Sequence, residues 1–154
     1  CEPWYRGFES DELLHVSGPE ASWTWHIVSG EVDGQRGPVA SQTGLFMSWL
    51  EMRPSATFST KVSTDRGVML YVVRGEVEVN GVPAATRTMV ELSHASGSEV
   101  HLTAWDDEVL VLLCHGDVIN EPVVAHGPFV MNTEAEIREA FMEYQSGKLG
   151  RAVG

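Results

Sequence analysis

The stretch from Val68 to Gly81 constrains this chain more than any other. Val68-Met69-Leu70-Tyr71-Val72-Val73 is apolar throughout, the pattern of a strand covered on both faces. In Gly75-Glu76-Val77-Glu78-Val79-Asn80-Gly81 valines alternate with glutamates, so one face is buried and the other wet. Asn80-Gly81 is a hairpin signal, because both residues tolerate positive φ.

The same periodicity recurs along the chain. Ser22-Trp23-Thr24-Trp25-His26-Ile27 alternates polar and apolar residues, and Leu45 to Met52 gives a second strand ended by Pro54. Met89-Val90-Glu91-Leu92, Glu99-Val100-His101-Leu102 and Glu108 to Cys114 supply further strands. Their spacing, with turn residues between, is that of a β-sandwich or barrel. Gly30 to Pro38 holds three glycines and a proline and reads as a loop. Residues 1–28 read as an entry strand and linker.

The last quarter changes character. A helix is expected over residues 133–146, with Thr133 as its cap and Glu136 as the capping-box partner. Ile137, Ala140, Phe141 and Tyr144 form one apolar stripe, and Gly147 is placed to end the helix. With 154 residues and no internal boundary in composition, the chain reads as one domain, residues 1–154.

Bulk properties exclude some partners. Acidic residues outnumber basic ones 22 to 10, a formal net charge of −12, which a phosphate backbone would repel. Direct nucleic-acid binding is therefore not expected. No apolar run approaches the roughly 20 residues of a membrane span, no basic and apolar leader opens the chain, and no membrane association is expected. Two cysteines, Cys1 and Cys114, suggest no disulfide framework, so a reducing cytoplasm is the expected setting. Cys114 lies in an apolar run and reads as a small buried hydrophobe.

Specific strings then point to a family. Gly116-Asp117-Val118-Ile119-Asn120-Glu121-Pro122-Val123-Val124-Ala125-His126-Gly127-Pro128-Phe129-Val130-Met131-Asn132-Thr133 resembles the C-terminal signature of pirins. Ser29 to Gly34, Gly37-Pro38, Leu70 to Gly81, Tyr144-Gln145 and Gly147 to Gly150 continue the likeness, which runs from about Glu2 to Gly150. The resemblance implies an all-β, cupin-type jelly roll, the double-stranded β-helix barrel, with one C-terminal α-helix. It also implies a bicupin of two stacked barrels. In pirins the N-terminal barrel holds a mononuclear iron through three histidines and a glutamate. Members are described as quercetin 2,3-dioxygenases and, in eukaryotes, as redox-sensitive nuclear co-regulators. The iron belongs to the family's other half, so no cofactor and no catalytic residue are expected in this stretch. The positions nearest a cupin metal motif are Val62, Thr64 and Val68, which offer no iron ligand set.

Other residues carry groups capable of chemistry. His94, Glu99 and His101 are the alternative metal cluster, with solvated surface residues as the simpler reading. His26 reads as an outward strand histidine, and His115 and Asp117 as flanks of a turn at Gly116. His126 reads as a residue fixing the Gly-Pro-Phe loop. A barrel mouth can hold one apolar ligand. Trp25, Phe46, Trp49, Leu70 and Val72 are the residues expected around such a pocket, although aromatic strand residues such as Trp23, Trp25, Phe46, Trp49 and Tyr71 are more often core. Three functions follow: a non-catalytic half packing on an N-terminal pirin-like cupin half or, as a homodimer, on a second copy; a module binding a small aromatic ligand; and a quercetin 2,3-dioxygenase-like oxidoreductase with a non-standard or partner-supplied metal.

Overall fold

The computed structural model describes residues 7–92 and 99–148. The chain falls into two compact units, Cys1–Val118 and Ile119–Gly154. Among the described residues no helix is long and apolar enough to cross a membrane.

The first unit is a pair of antiparallel sheets sharing one core. Its strands are β1 (Leu14–Ser17), β2 (Trp23–Ser29), β3 (Glu31–Val32), β4 (Gln35–Arg36), β5 (Phe46–Met52), β6 (Thr57–Lys61), β7 (Arg66–Arg74), β8 (Val77–Val79), β9 (Val82–Ala84), β10 (Met89–Leu92), β11 (Glu99–Ala104) and β12 (Val109–Asp117). The larger sheet has the order β1-β2-β5-β12-β7-β10, the smaller β6-β11-β8-β9. Ile27, Leu50, Leu70, Val72, Val111 and Leu113 of the larger sheet face Phe58, Val77, Val79, Val100 and Leu102 of the smaller, and all are buried. This is the expected cupin sandwich.

Local chemistry explains the elements. At the β8–β9 hairpin Asn80 and Gly81 have φ of 48° and 83°, as the favoured two-residue turn requires. The Gly30–Pro38 stretch is more ordered than a loop. It forms the β3–β4 hairpin, with Glu31 paired to Arg36 at 2.8 Å. Gly30 leaves room for a core ring, since a Cβ there would stand 2.2 Å from Phe46.

β7 corrects its expected burial. Val68, Leu70 and Val72 point inward and are buried, but Met69 and Val73 on the other side are 40% and 37% exposed. The strand is apolar on both faces and covered on one. β12 also runs further than expected. His115, Gly116 and Asp117 stay in the sheet, opposite Val68, Gly67 and Arg66 of β7, where a turn was expected.

The second unit holds β13 (Val124–His126), β14 (Phe129–Met131) and α1 (Glu134–Gln145). The two strands pair as a hairpin. Thr133 caps α1, its Oγ1 accepting from the Glu136 N–H at 3.3 Å, while Glu136 Oε2 accepts from the Thr133 N–H at 2.8 Å. The capping box is as the sequence reads. Gly147 follows the Ser146 end of the helix, with φ of 73°. Ile137 and Ala140 are buried, and Phe141 meets the rings of Phe129 and His126 at 5.0 and 5.3 Å. Tyr144 departs from the expected stripe: it is 66% exposed, beyond the reach of the two-stranded hairpin except for a 6.3 Å ring contact with Phe129.

Candidate functional site

The larger sheet has two faces of similar composition and different surroundings. On its outer face one row of side chains crosses six strands: His15, His26, Trp49, Leu112, Tyr71 and Met89, each paired in register with the next. Met47, Cys114 and Met69 form a parallel row beside it. Leu112, Met47 and Met89 are 39%, 41% and 62% exposed. Contiguous exposed apolar surface of this kind marks contact sites. Trp49 and Tyr71 belong to this face and are only half-buried, so neither joins the core. Cys114 is half-buried here as well, a free thiol that burial pushes above its ordinary pKa.

His26 sits in that outward row, as read from the sequence, yet it is buried there. It is buried because Trp49 stacks on it at 4.7 Å and His15 meets it edge-on at 4.7 Å. Burial lowers its pKa, against the opposing pull of the Glu51 carboxylate 3.9 Å away. Among the described residues neither ring nitrogen has a hydrogen-bond partner.

The inner face carries a cavity of about 460 Å³ between the sheets, walled by Trp23, Trp25, Phe46, Phe58 and His115. Of the five residues expected around a pocket, Trp25 and Phe46 line it. Leu70 and Val72 are fully buried in the core, away from its wall, and Trp49 is on the outer face. Trp25 is anchored through Ser48: the indole N–H donates to Ser48 Oγ at 2.9 Å, and that hydroxyl donates to the Leu113 carbonyl at 2.9 Å.

His115 is the residue that sequence reasoning missed. Its ring lies flat on Phe46, with centroids 4.5 Å apart and planes 5° from parallel. Arg66 Nε donates to His115 Nδ1 at 2.8 Å. The rest of that guanidinium holds Asp117 at 2.8 Å and the carbonyls of Gly44 and His115. Burial first, and the Arg66 charge second, push His115 down to about 4, with Asp117 opposing. It is thus neutral near pH 7, and because Nδ1 accepts from Arg66, the ring proton is on Nε2. The signal was available as Arg66-Gly67 opposite Gly116-Asp117, but only through a pairing far apart in sequence.

The side chains filling the barrel interior offer no ligand set for an iron of the kind the resemblance implies for the family's other half. Val62 and Val68, at the positions nearest a cupin metal motif, are buried, and Leu70, Val72, Val111 and Leu113 fill the space behind them. None of these side chains carries a ligand atom for iron. Glu99 and His101 share the solvent side of β11, where His101 Nδ1 lies 2.7 Å from Ser59 Oγ. His94, the third member of that expected cluster, lies outside the described residues, as does Cys1. Among the described residues no group of three or more His, Cys, Asp or Glu is arranged to hold a metal ion.

Comparison with known proteins matches this architecture. Residues 47–150 match the family model of the pirin C-terminal cupin domain. A pirin-like protein of Solanum lycopersicum is 32% identical, over 97% of this chain and 51% of its own length. Human pirin is 28% identical, over 97% of this chain and 52% of its own. A crystal structure of quercetin 2,3-dioxygenase from Acinetobacter baumannii superposes with a TM-score of 0.88 at 27% identity, over 96% of this chain and 51% of that one. The chain therefore spans about half the length of the relatives it matches. An apolar double-sheet barrel, the hairpin-and-helix unit that follows it and the family match together place the chain in the pirin family, as its C-terminal cupin domain.

Proposed function

We propose that this chain is a non-catalytic cupin half that docks a second cupin barrel on the outer face of its larger sheet. One observation carries the reading: β7 is written in apolar residues on both faces, yet Met69 and Val73 face solvent. An open row of methionine, leucine and aromatic side chains across the central strands is the composition of an interface centre. In the isolated chain the second barrel is another copy, since a symmetric pair covers the same patch on both partners. The apolar filling around Val62 and Val68 supports a structural role over a metal-dependent one.

Size-exclusion chromatography with light scattering tests this at micromolar concentration. The native chain is expected to run as a dimer, and the double variant Met69→Glu with Leu112→Glu as a folded monomer. A native monomer, or a dimer indifferent to the double variant, overturns the proposal.

A second reading draws on the relatives named for quercetin 2,3-dioxygenase activity. On it the chain takes part in dioxygenase chemistry with a metal supplied by a partner or by a non-standard site. Elemental analysis after metal supplementation, with quercetin turnover measured alongside, separates the two. Stoichiometric metal with turnover favours the enzyme.

A further inference from the structure

Docking needs apolar area on the outer face, and leucine would supply it as well as methionine does; it makes no use of sulfur. Yet three sulfur side chains stand abreast across the middle of the larger sheet: Met47 on β5, Cys114 on β12 and Met69 on β7. Cys114 is the register partner of Met47 on one side and of Met69 on the other. We propose that this row is a binding site for a soft monovalent metal ion, Cu(I), held by the Cys114 thiolate and the thioethers of Met47 and Met69.

The sheet brings the three sulfurs together. Direct partners on antiparallel strands share a face, with Cβ atoms about 4.5–5.5 Å apart. All three point outward, because Phe46, Ser48, Leu113, Val68 and Leu70, their neighbours along the strands, are buried on the inner side. Cys114 is central and half-buried, while Met47 and Met69 are 41% and 40% exposed. The short side chain therefore forms the floor. The two long ones, each with three rotatable bonds, can carry their sulfurs over it from opposite sides. Three sulfurs around one point make a trigonal set.

The donor types select the ion. Thiolate and thioether are soft ligands and suit Cu(I). Among the described residues no group of three or more His, Cys, Asp or Glu is arranged to hold a metal, so no set of harder donors competes for zinc or iron. The Ser48 backbone N–H donates to the Cys114 sulfur, a contact that favours the thiolate. On binding, a copper–sulfur bond forms and the thiol proton leaves to solvent. Copper enters and stays as Cu(I), so no electron is exchanged, and the thiolate cancels its charge. Glu91, the register partner of Met69 on β10, sets a carboxylate at the end of the row, which favours the approach of a cation. The site lies outside the barrel and rests on the register of three strands, so it stands with or without the docking role.

The test is an anaerobic titration of Cu(I) against the coloured chelator bicinchoninate, with copper X-ray absorption on the loaded protein. It uses the chain carrying Cys1→Ser, which removes the other thiol, below the concentration at which copies pair. This parent is expected to withhold one Cu(I) per chain from the chelator, with three sulfur neighbours around the metal. Cys114→Ser is expected to abolish binding. Met47→Leu and Met69→Leu are each expected to weaken it at least about tenfold, since even partners outside the ligand set change metal affinity by that much. Met142→Leu, an exposed methionine on α1, leaves it unchanged. A parent that yields all its copper to the chelator overturns the proposal, as does binding that needs Cys114 and is indifferent to both Met→Leu changes. If Cys114→Ser does not fold, the two Met→Leu variants and the count of sulfur neighbours decide. Light scattering on the same two variants reads docking separately: leucine keeps the apolar volume, so pairing is expected to persist where copper binding is lost.

Discussion

The two faces of β7 are chemically alike and physically opposite. Val68, Leu70 and Val72 are enclosed by the smaller sheet, whereas Met69 and Val73 look outward onto solvent. Composition encodes the demand for cover; it does not encode which body provides it. The inner demand is met by the chain's own second sheet. The outer demand is met only in part, with Met69, Val73 and Leu112 left exposed, which is why the same apolar run supports both a core and an interface.

Substitutions on the two faces sharpen that contrast. Leu70→Ala removes a fully buried side chain and is expected to cost about 2–5 kcal/mol, read from the urea midpoint below the concentration at which copies pair. Ser48→Ala comes next: it strips the acceptor from the buried Trp25 N–H, at an expected cost of about 1–3 kcal/mol, checked by the same measurement and by the tryptophan near-ultraviolet signal.

A pH series tests the two faces through their histidines. His26 on the outer face and His115 on the inner face both titrate below their ordinary value in the folded chain. The unfolded chain therefore binds more protons at mildly acid pH, and stability rises with pH in that range. For His115 the window lies between about 4 and the ordinary histidine value of 6.5. The urea midpoint is expected to fall from about pH 7 to about pH 5, and His26→Phe and His115→Phe are each expected to flatten that fall. A midpoint that rises on acidification contradicts the assignment. Met69→Ser gives the smallest effect on unfolding of the separated chain, about 0.5–1 kcal/mol, because its side chain is already 40% exposed. A loss comparable to that of Leu70→Ala would erase the contrast.

Legibility in the sequence followed the range of the interactions. The Asn80-Gly81 hairpin and the Thr133–Glu136 box are set by neighbours within a few residues, and both stand as read. The barrel class was legible for the same reason, as alternation within each strand. His115 was not. Gly116-Asp117 looks like a turn locally, and only pairing with Gly67 and Arg66, about 50 residues away, keeps it in the sheet. Trp49 failed as a pocket residue because its neighbours Ser48 and Leu50 face inward, and alternation sends it to the outer row. His26 faces outward as read, but its burial was not legible, because its cover comes from rings on two other strands.

β12 lies between β5 and β7, yet it is the last strand of its sheet to appear in the chain. Until Val109 emerges during synthesis, β5 and β7 each have an open backbone edge where β12 will pair. Unpaired edges invite joining with other chains, and closure over such sequence separation is slow. Fragments ending before this strand are thus those most exposed to aggregation, and the emergence of Asp117 from the ribosome is the point at which β12 can close both edges.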